Sequence, residues 1–104
     1  MSEIMNTQTL PSNHRYPDIK TFYNAVKLSV LDDKPILLDY WTNSIDKTVA
    51  LGIKTSDNGK ILVKSKEEYT STISNLYKSG NDLIVVTENS IYIVDALIPR
   101  KQLN

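Results

Sequence analysis

Two neighbouring segments near the C-terminal end of the chain are apolar on both of their faces, and they constrain the fold more than any other feature. Residues 82–87 and 90–95 are short apolar runs bounded by turn-forming residues, which is typical of buried β-strands. The two residues between them, Glu88-Asn89, predict a tight hairpin. Its register sets three pairs opposite each other: Val86 and Ile91, Val85 and Tyr92, and Ile84 and Ile93. A hairpin with two apolar faces must be covered on both sides, so we expect these strands inside a sheet.

The N-terminal half begins with a predicted helix over residues 18–31. Pro17 and Asp18 suit its first turn, since proline presets φ and an acidic side chain favours the positive end of the helix dipole. The helix ends before Pro35, because the residue preceding a proline avoids the α conformation. Its apolar residues recur at helical spacing and predict one amphipathic stripe: Ile19, Phe22, Tyr23, Val26 and Val30.

From residue 35 the apolar period changes to two, which predicts strands over 35–41, 48–54 and 60–64. The last two strands are joined by a predicted three-residue loop, 57–59, with Gly59 in the left-handed conformation. That loop pairs Ile53 with Val63 and keeps the apolar faces together. A two-residue loop at Asn58-Gly59 would pair Ile53 with Lys64 instead.

A second helix is predicted after residue 65. Ser65 and Glu68 have the spacing of a capping box, in which each side chain accepts a hydrogen bond from a free backbone amide. Tyr69, Ile73, Leu76 and Tyr77 then recur at helical spacing, and Gly80 suits the end of such a helix.

These elements predict an α+β fold with a mostly antiparallel five-stranded sheet and two helices, in the order α-βββ-α-ββ. The element order is similar in outline to profilin and PAS domains, an analogy that carries no function. Strand 90–95 is expected beside strand 35–41. We expect a single domain over residues 17–99, preceded by a flexible leader, 1–16, and followed by a C-terminal tail, 100–104.

The composition excludes most catalytic chemistry. The 104 residues include 12 Lys+Arg and 12 Asp+Glu, which gives zero formal charge, with no cysteine and a single histidine, His14. Thiol nucleophiles, disulfides and cysteine zinc sites are therefore absent. Asp39 lies in a predicted strand, where a buried carboxylate would have a raised pKa, but a rim aspartate paired with a lysine is the commoner arrangement. We expect no enzyme, no catalytic or metal-binding residue, no cofactor and no membrane span.

Surplus apolar surface predicts a protein partner. Two helices can hardly cover both faces of five strands, so one face is expected to form an interface, in a homo-oligomer or a larger assembly. Tyrosine and tryptophan are also enriched in interface centres. The alternative is a monomer whose leader folds over this face. The candidate interface residues are Leu37, Trp41, Val85, Tyr92 and Val94.

A basic hairpin suggests a second function, the binding of single-stranded nucleic acid or another anion. Residues 47–66 contain five lysines and a single acid, Asp57. Tyr40 and Trp41 on the preceding strand would provide a stacking platform for bases. The alternative is that these lysines only protect sheet edges from aggregation. The candidate residues are Lys47, Lys54, Lys60, Lys64 and Lys66.

Two stretches resemble blocks in small uncharacterised proteins of large, AT-rich DNA viruses. The first stretch covers Asp39 to Ser44. The second runs from the segment Glu68–Ser71 to the segment Thr87–Val94. The resemblance implies a virion or virus-factory component, located in the host cytoplasm or the virion, and it implies no chemistry. With the surplus apolar surface, it makes a non-enzymatic protein–protein interaction or structural domain the leading expectation.

Overall fold

A computed structural model describes residues 14–103, in which two helices and seven strands are present. The helices are α1 (Ile19–Asp32) and α2 (Trp41–Ile45). The strands are β1 (Ile36–Leu37), β2 (Ala50–Lys54), β3 (Lys60–Val63), β4 (Ile73–Ser79), β5 (Asp82–Thr87), β6 (Ile91–Asp95) and β7 (Arg100–Leu103). The predicted α+β class is confirmed. The predicted single five-stranded sheet is wrong, since the strands form two mixed sheets.

The larger sheet has the strand order β1-β6-β5-β4, and the smaller one has the order β3-β2-β7. The predicted β5–β6 hairpin is confirmed in its register, with Val85 opposite Tyr92 and Ile84 opposite Ile93. The placement of residues 90–95 beside the first strand is also confirmed, because β6 pairs with β1 in parallel.

The β5–β6 hairpin is covered on both faces, as its composition requires. On one face Val85 and Val94 pack against Leu51 and Leu62 of the smaller sheet. On the other face a second cluster, which includes Ile93, packs against α1 and α2. The molecule therefore has three layers, and the face expected to be surplus is covered by a second sheet.

The predicted strand 35–41 ends early. Only Ile36–Leu37 is extended, and the chain then turns into α2. The turn is closed by the Trp41 amide, which donates to the Leu38 carbonyl at 3.0 Å. The Trp41 indole also donates to the Arg15 carbonyl at 2.9 Å. These contacts place the ring in the core beside the helices, which an extended strand would not allow.

The predicted second helix is wrong, because its central residues form strand β4. The Ser65 hydroxyl does accept hydrogen bonds from the Glu67 and Glu68 amides, at 3.3 and 3.1 Å, so the capping contact exists. The turn is not continued, since β4 pairs antiparallel with β5 from Ile73 to Ser79. Pairing along a whole strand outweighs a single local cap.

The hairpin between β2 and β3 also differs from both predicted loops. Ile53 pairs with Lys60, which leaves a longer loop. Its left-handed residue is Asn58, with a φ of 60°, instead of Gly59. The Asn58 amide donates to the Lys54 carbonyl at 3.0 Å, and the Asp57 carboxylate accepts from the Gly59 amide at 2.8 Å. This turn of helical type lengthens the loop and changes the register.

The two ends of the described chain are both tied to the fold. Residues 100–103 were expected in a tail, but they form β7, which pairs in parallel with β2. Most of the predicted leader lies outside the described residues. Its last three residues, 14–16, contact the body of the protein: the His14 ring lies 2.9 Å from an Asp46 carboxylate oxygen, and Arg15 bonds two buried carboxylates.

Candidate functional site

A lysine-lined groove lies on the outer face of the smaller sheet. Its volume is about 1230 Å³, larger than the roughly 300–1,000 Å³ of a typical small-molecule pocket. The groove exists because residues 50, 52 and 54 of β2 face outward while Leu51 faces the core. We call the cavity the lysine groove. Five lysines line it: Lys47, Lys54, Lys64, Lys66 and Lys101.

Four of the five lysines predicted from the sequence line this groove. Lys60 is the exception, because it lies on an exposed position of β3 and is not part of the lining. Lys101 was missed, since it was assigned to the tail. Its position follows from the parallel pairing of β7 with β2, where it lies opposite Gly52.

The lysines of the groove differ in their partners. Lys47 lies 3.0 Å from Asp95, and Lys64 lies 3.4 Å from Glu68. Lys54 reaches only the Thr72 hydroxyl, at 3.5 Å. Within residues 14–103, neither Lys66 nor Lys101 has a carboxylate partner. Three positive charges of the groove are thus left without a neutralising ion pair.

The aromatic residues expected beside the lysines are buried. Tyr40 is 4% exposed and Trp41 is 8% exposed, so neither offers a ring to a ligand. Burial, with the neighbouring Tyr92 and nearby carboxylates, raises the pKa of Tyr40 to about 12. The Lys64 ammonium lies 4.6 Å from the Tyr40 ring centre. The exposed ring at the groove is that of Tyr69.

The candidate interface residues are mostly interior. Val85 and Val94 are fully buried between the two sheets, and Trp41 is buried beside the helices. Tyr92 is half-buried and packs edge-on against Tyr40, with ring centres 5.2 Å apart. Leu37 is half-buried in β1. The structure does not bring these five residues together on one accessible surface.

Exposed apolar surface is found instead on α1. Four of the five residues of the predicted core stripe are exposed: Ile19, Tyr23, Val26 and Val30, by 88%, 64%, 48% and 77%. We call these four residues the apolar α1 face. The opposite side packs on the larger sheet, with Thr21 and Ala25 fully buried and with Phe22 and Leu28 partly buried against the same cluster.

A buried ion-pair network was missed by the sequence reasoning, because its central residue lies in the polar leader. Arg15 donates to Asp82 and to Asp95, each at 2.7 Å. The Asp82 carboxylate, which is fully buried, also accepts a hydrogen bond from the Asp18 backbone amide at 2.8 Å. We call this network the Arg15 clasp, and it includes Lys47 through Asp95. No sequence pattern marks it, since its members are far apart in the chain.

The clasp shifts the pKa values of Asp95 and Arg15. Burial alone would raise the pKa of Asp95, but hydrogen bonds from Arg15, Lys47 and the Leu97 amide outweigh it and hold the pKa below its usual value. Desolvation acts against the charge of Arg15, but hydrogen bonds to Asp95 and Asp82, with their charges, raise its pKa. The network holds these groups in their ionised forms.

Asp39, considered above as a catalytic carboxylate, is exposed in the turn before α2. Within residues 14–103, no group of three His, Cys, Asp or Glu side chains is arranged to hold a metal ion. No helix in this range combines the length and apolarity needed to cross a membrane.

Comparison of the chain with protein-family models, curated proteins and solved structures finds no match. The apolar α1 face and the lysine groove are accessible surfaces on which a partner or ligand could bind.

Proposed function

We propose that the protein is a non-enzymatic protein–protein interaction domain that pairs with a second copy of itself through the apolar α1 face. The observation that supports this is the exposure of four apolar side chains on one side of a 14-residue helix. Contiguous apolar surface of this kind marks interaction sites on soluble domains. The proposal keeps the function expected from the sequence but moves the contact from the sheet to α1.

The spacing of the face suits a second helix of the same kind. Its residues are separated by four, three and four positions, which is the spacing of a coiled-coil seam. A second copy presents the same spacing, so the side chains of one helix fit between those of the other. The zero formal charge of the chain leaves no net repulsion against self-association.

The area of the face is also consistent with a pair of copies. The exposed side chains amount to on the order of 500 Å² per copy, close to the largest apolar patch on an ordinary monomer. Two copies would bury about 1,000 Å², at the lower limit for a specific interface. We therefore expect a weak dimer.

The test is the solution mass measured by light scattering from about 10 µM to about 1 mM protein. The wild-type mass should rise from one copy to two across this range. The double variant Tyr23→Glu/Val30→Glu should stay monomeric and keep its helix content by circular dichroism, since both side chains lie in solvent. A wild-type protein that stays monomeric throughout would overturn the proposal.

Leu97→Glu is the matched control, because Leu97 is 75% exposed on the loop before β7, away from α1. This variant should dimerise like the wild type. If it also dissociated the dimer, the contact would not be specific to α1. The resemblance to proteins of large DNA viruses supports a role for such a dimer as a virion or virus-factory component, in the virion or the host cytoplasm.

A further inference from the structure

The lysine groove has charge of one sign. Among the described residues its lining contains five lysines and no carboxylate. Ion pairs to Asp95 and Glu68 neutralise Lys47 and Lys64. Lys54, Lys66 and Lys101 remain for an external anion. A cleft lined by one sign of charge raises the local concentration of opposite charge, so its ligand should be anionic.

The floor of the groove is apolar, which sets its ligand apart from a simple anion. Ala50, Ile61, Val63 and Leu103 lie among the lysines. Gly52 makes the floor possible, because a Cβ at this position would lie 2.7 Å from the Leu103 Cδ1 atom and 3.0 Å from the Val63 Cγ2 atom. A glycine here lets Leu103 lie across β2.

An exposed aromatic ring completes the surface. Tyr69 lines the groove and is 60% exposed, so its ring can stack on a flat ligand group. Proteins that bind single-stranded nucleic acid without sequence preference combine two features. Positive side chains lie along the nucleic-acid backbone, and aromatic rings stack on the bases. Lysine can contact the phosphates of such a strand, since its ammonium binds phosphate as a point charge.

We propose that the lysine groove binds single-stranded nucleic acid. Lys54, Lys66 and Lys101 contact phosphates, while Tyr69 stacks on a base above the apolar floor. The site is separate from the apolar α1 face and does not depend on self-association. Non-specific binding of this kind has a Kd of about 1–100 µM at physiological salt.

The first measurement is the salt dependence of binding to a fluorescent oligothymidylate of about 12 nucleotides. Each phosphate contact to a single strand contributes about −0.7 to the slope of log K against log salt, so three lysines predict a slope of about −2. The double variant Lys54→Gln/Lys101→Gln should reduce the slope to about −0.7. Absence of saturable binding at low salt would overturn the proposal.

The control removes the same amount of charge elsewhere. Lys20 and Lys78 are exposed on α1 and β4 and do not line the groove. Lys20→Gln/Lys78→Gln should leave the slope near −2. An equal loss in both double variants would mean that net charge, and not the groove, binds the oligonucleotide, and this would also overturn the proposal.

A second probe separates nucleic acid from any polyanion. Tyr69→Ala should weaken oligothymidylate binding at least about fivefold, since stacking contributes about 1–3 kcal/mol per base. Inorganic polyphosphate has no base, so its affinity should be unchanged by this variant. If Tyr69→Ala left oligothymidylate binding intact, the groove would be a phosphate site only and the nucleic-acid assignment would be wrong.

Discussion

The Arg15 clasp and the lysine groove are both charged, but their charges are satisfied in opposite ways. In the clasp, the buried carboxylates of Asp82 and Asp95 accept hydrogen bonds from Arg15, Lys47 and backbone amides. In the groove, charges of one sign face solvent beside an apolar floor. Lys47 belongs to both regions. It lines the groove, but its ammonium forms an ion pair with Asp95 of the clasp.

The difference separates charges that hold the fold from charges that are available to a ligand. A buried ion pair contributes through its geometry, and removal of one partner leaves an uncompensated charge in the interior. An exposed lysine contributes little to stability, because water screens it. Substitutions in the clasp should therefore change the free energy of unfolding, whereas substitutions in the groove should change binding.

The largest effect is expected for Arg15→Met. The variant leaves the fully buried Asp82 and the nearby Asp95 without their shared cation, which should destabilise the protein by about 3–5 kcal/mol. Urea unfolding followed by circular dichroism measures the change. Lys54→Met is the matched control from the groove and should change stability by less than about 0.5 kcal/mol. Equal losses in the two variants would remove the distinction between the regions.

Tyr40 lies in the core between the two sheets, with the Lys64 ammonium against its ring, and it predicts the next largest effect. The fold favours its neutral form, with the pKa raised to about 12 by burial and by Tyr92. This contribution is complete below about pH 10 and is lost as the pH rises towards 12. The difference corresponds to about 3 kcal/mol. Tyr40→Phe should reduce the alkaline loss of stability, and the exposed Tyr69→Phe should not.

The parts of the fold that local patterns determine were predictable from the sequence. The apolar runs of residues 82–87 and 90–95 and the two-residue loop at Glu88-Asn89 together set the β5–β6 register, which is confirmed. Strand β4 was not predictable in this way. Its apolar residues fit helical spacing and Ser65 makes the expected cap, but pairing with β5 decides the outcome.

The inward face of α1 was also misjudged, for a packing reason. The apolar stripe predicts one buried side, whereas the helix approaches the sheet through Ala25 and Thr21, whose hydroxyl donates to the Ser79 carbonyl at 2.9 Å. These small residues allow a close approach. Phe22, which belongs to the predicted stripe, also packs against the core cluster, whereas the other four residues of the stripe are exposed. Which side of a helix is buried depends on the surface that the helix packs against. The spacing of apolar residues along the helix does not describe that surface.

Local charge counts found most of the groove, and distant pairing supplied the rest. The excess of lysine over residues 47–66 identified four lining residues. Lys101 joins them only because β7 pairs in parallel with β2, more than 45 residues earlier in the chain. Arg15 was missed for the same reason, since its partners Asp82 and Asp95 are 67 and 80 positions away.

The smallest effect, and the sharpest comparison of the two regions, is expected at acidic pH. Asp95 has a lowered pKa in the folded protein, so its ionised form stabilises the fold above about pH 4. That contribution is lost as the pH falls through the lowered folded pKa. Lys47→Met should weaken the acid dependence of the unfolding free energy, because it removes one of the two cations that lower the pKa of Asp95.

The control is Lys66→Met, because Lys66 lies only in the groove. This variant should leave the acid dependence of the unfolding free energy unchanged. Urea unfolding at pH 6, 4 and 2.5 measures it, and identical curves for both variants would show that Lys47 is a groove residue with no part in the clasp.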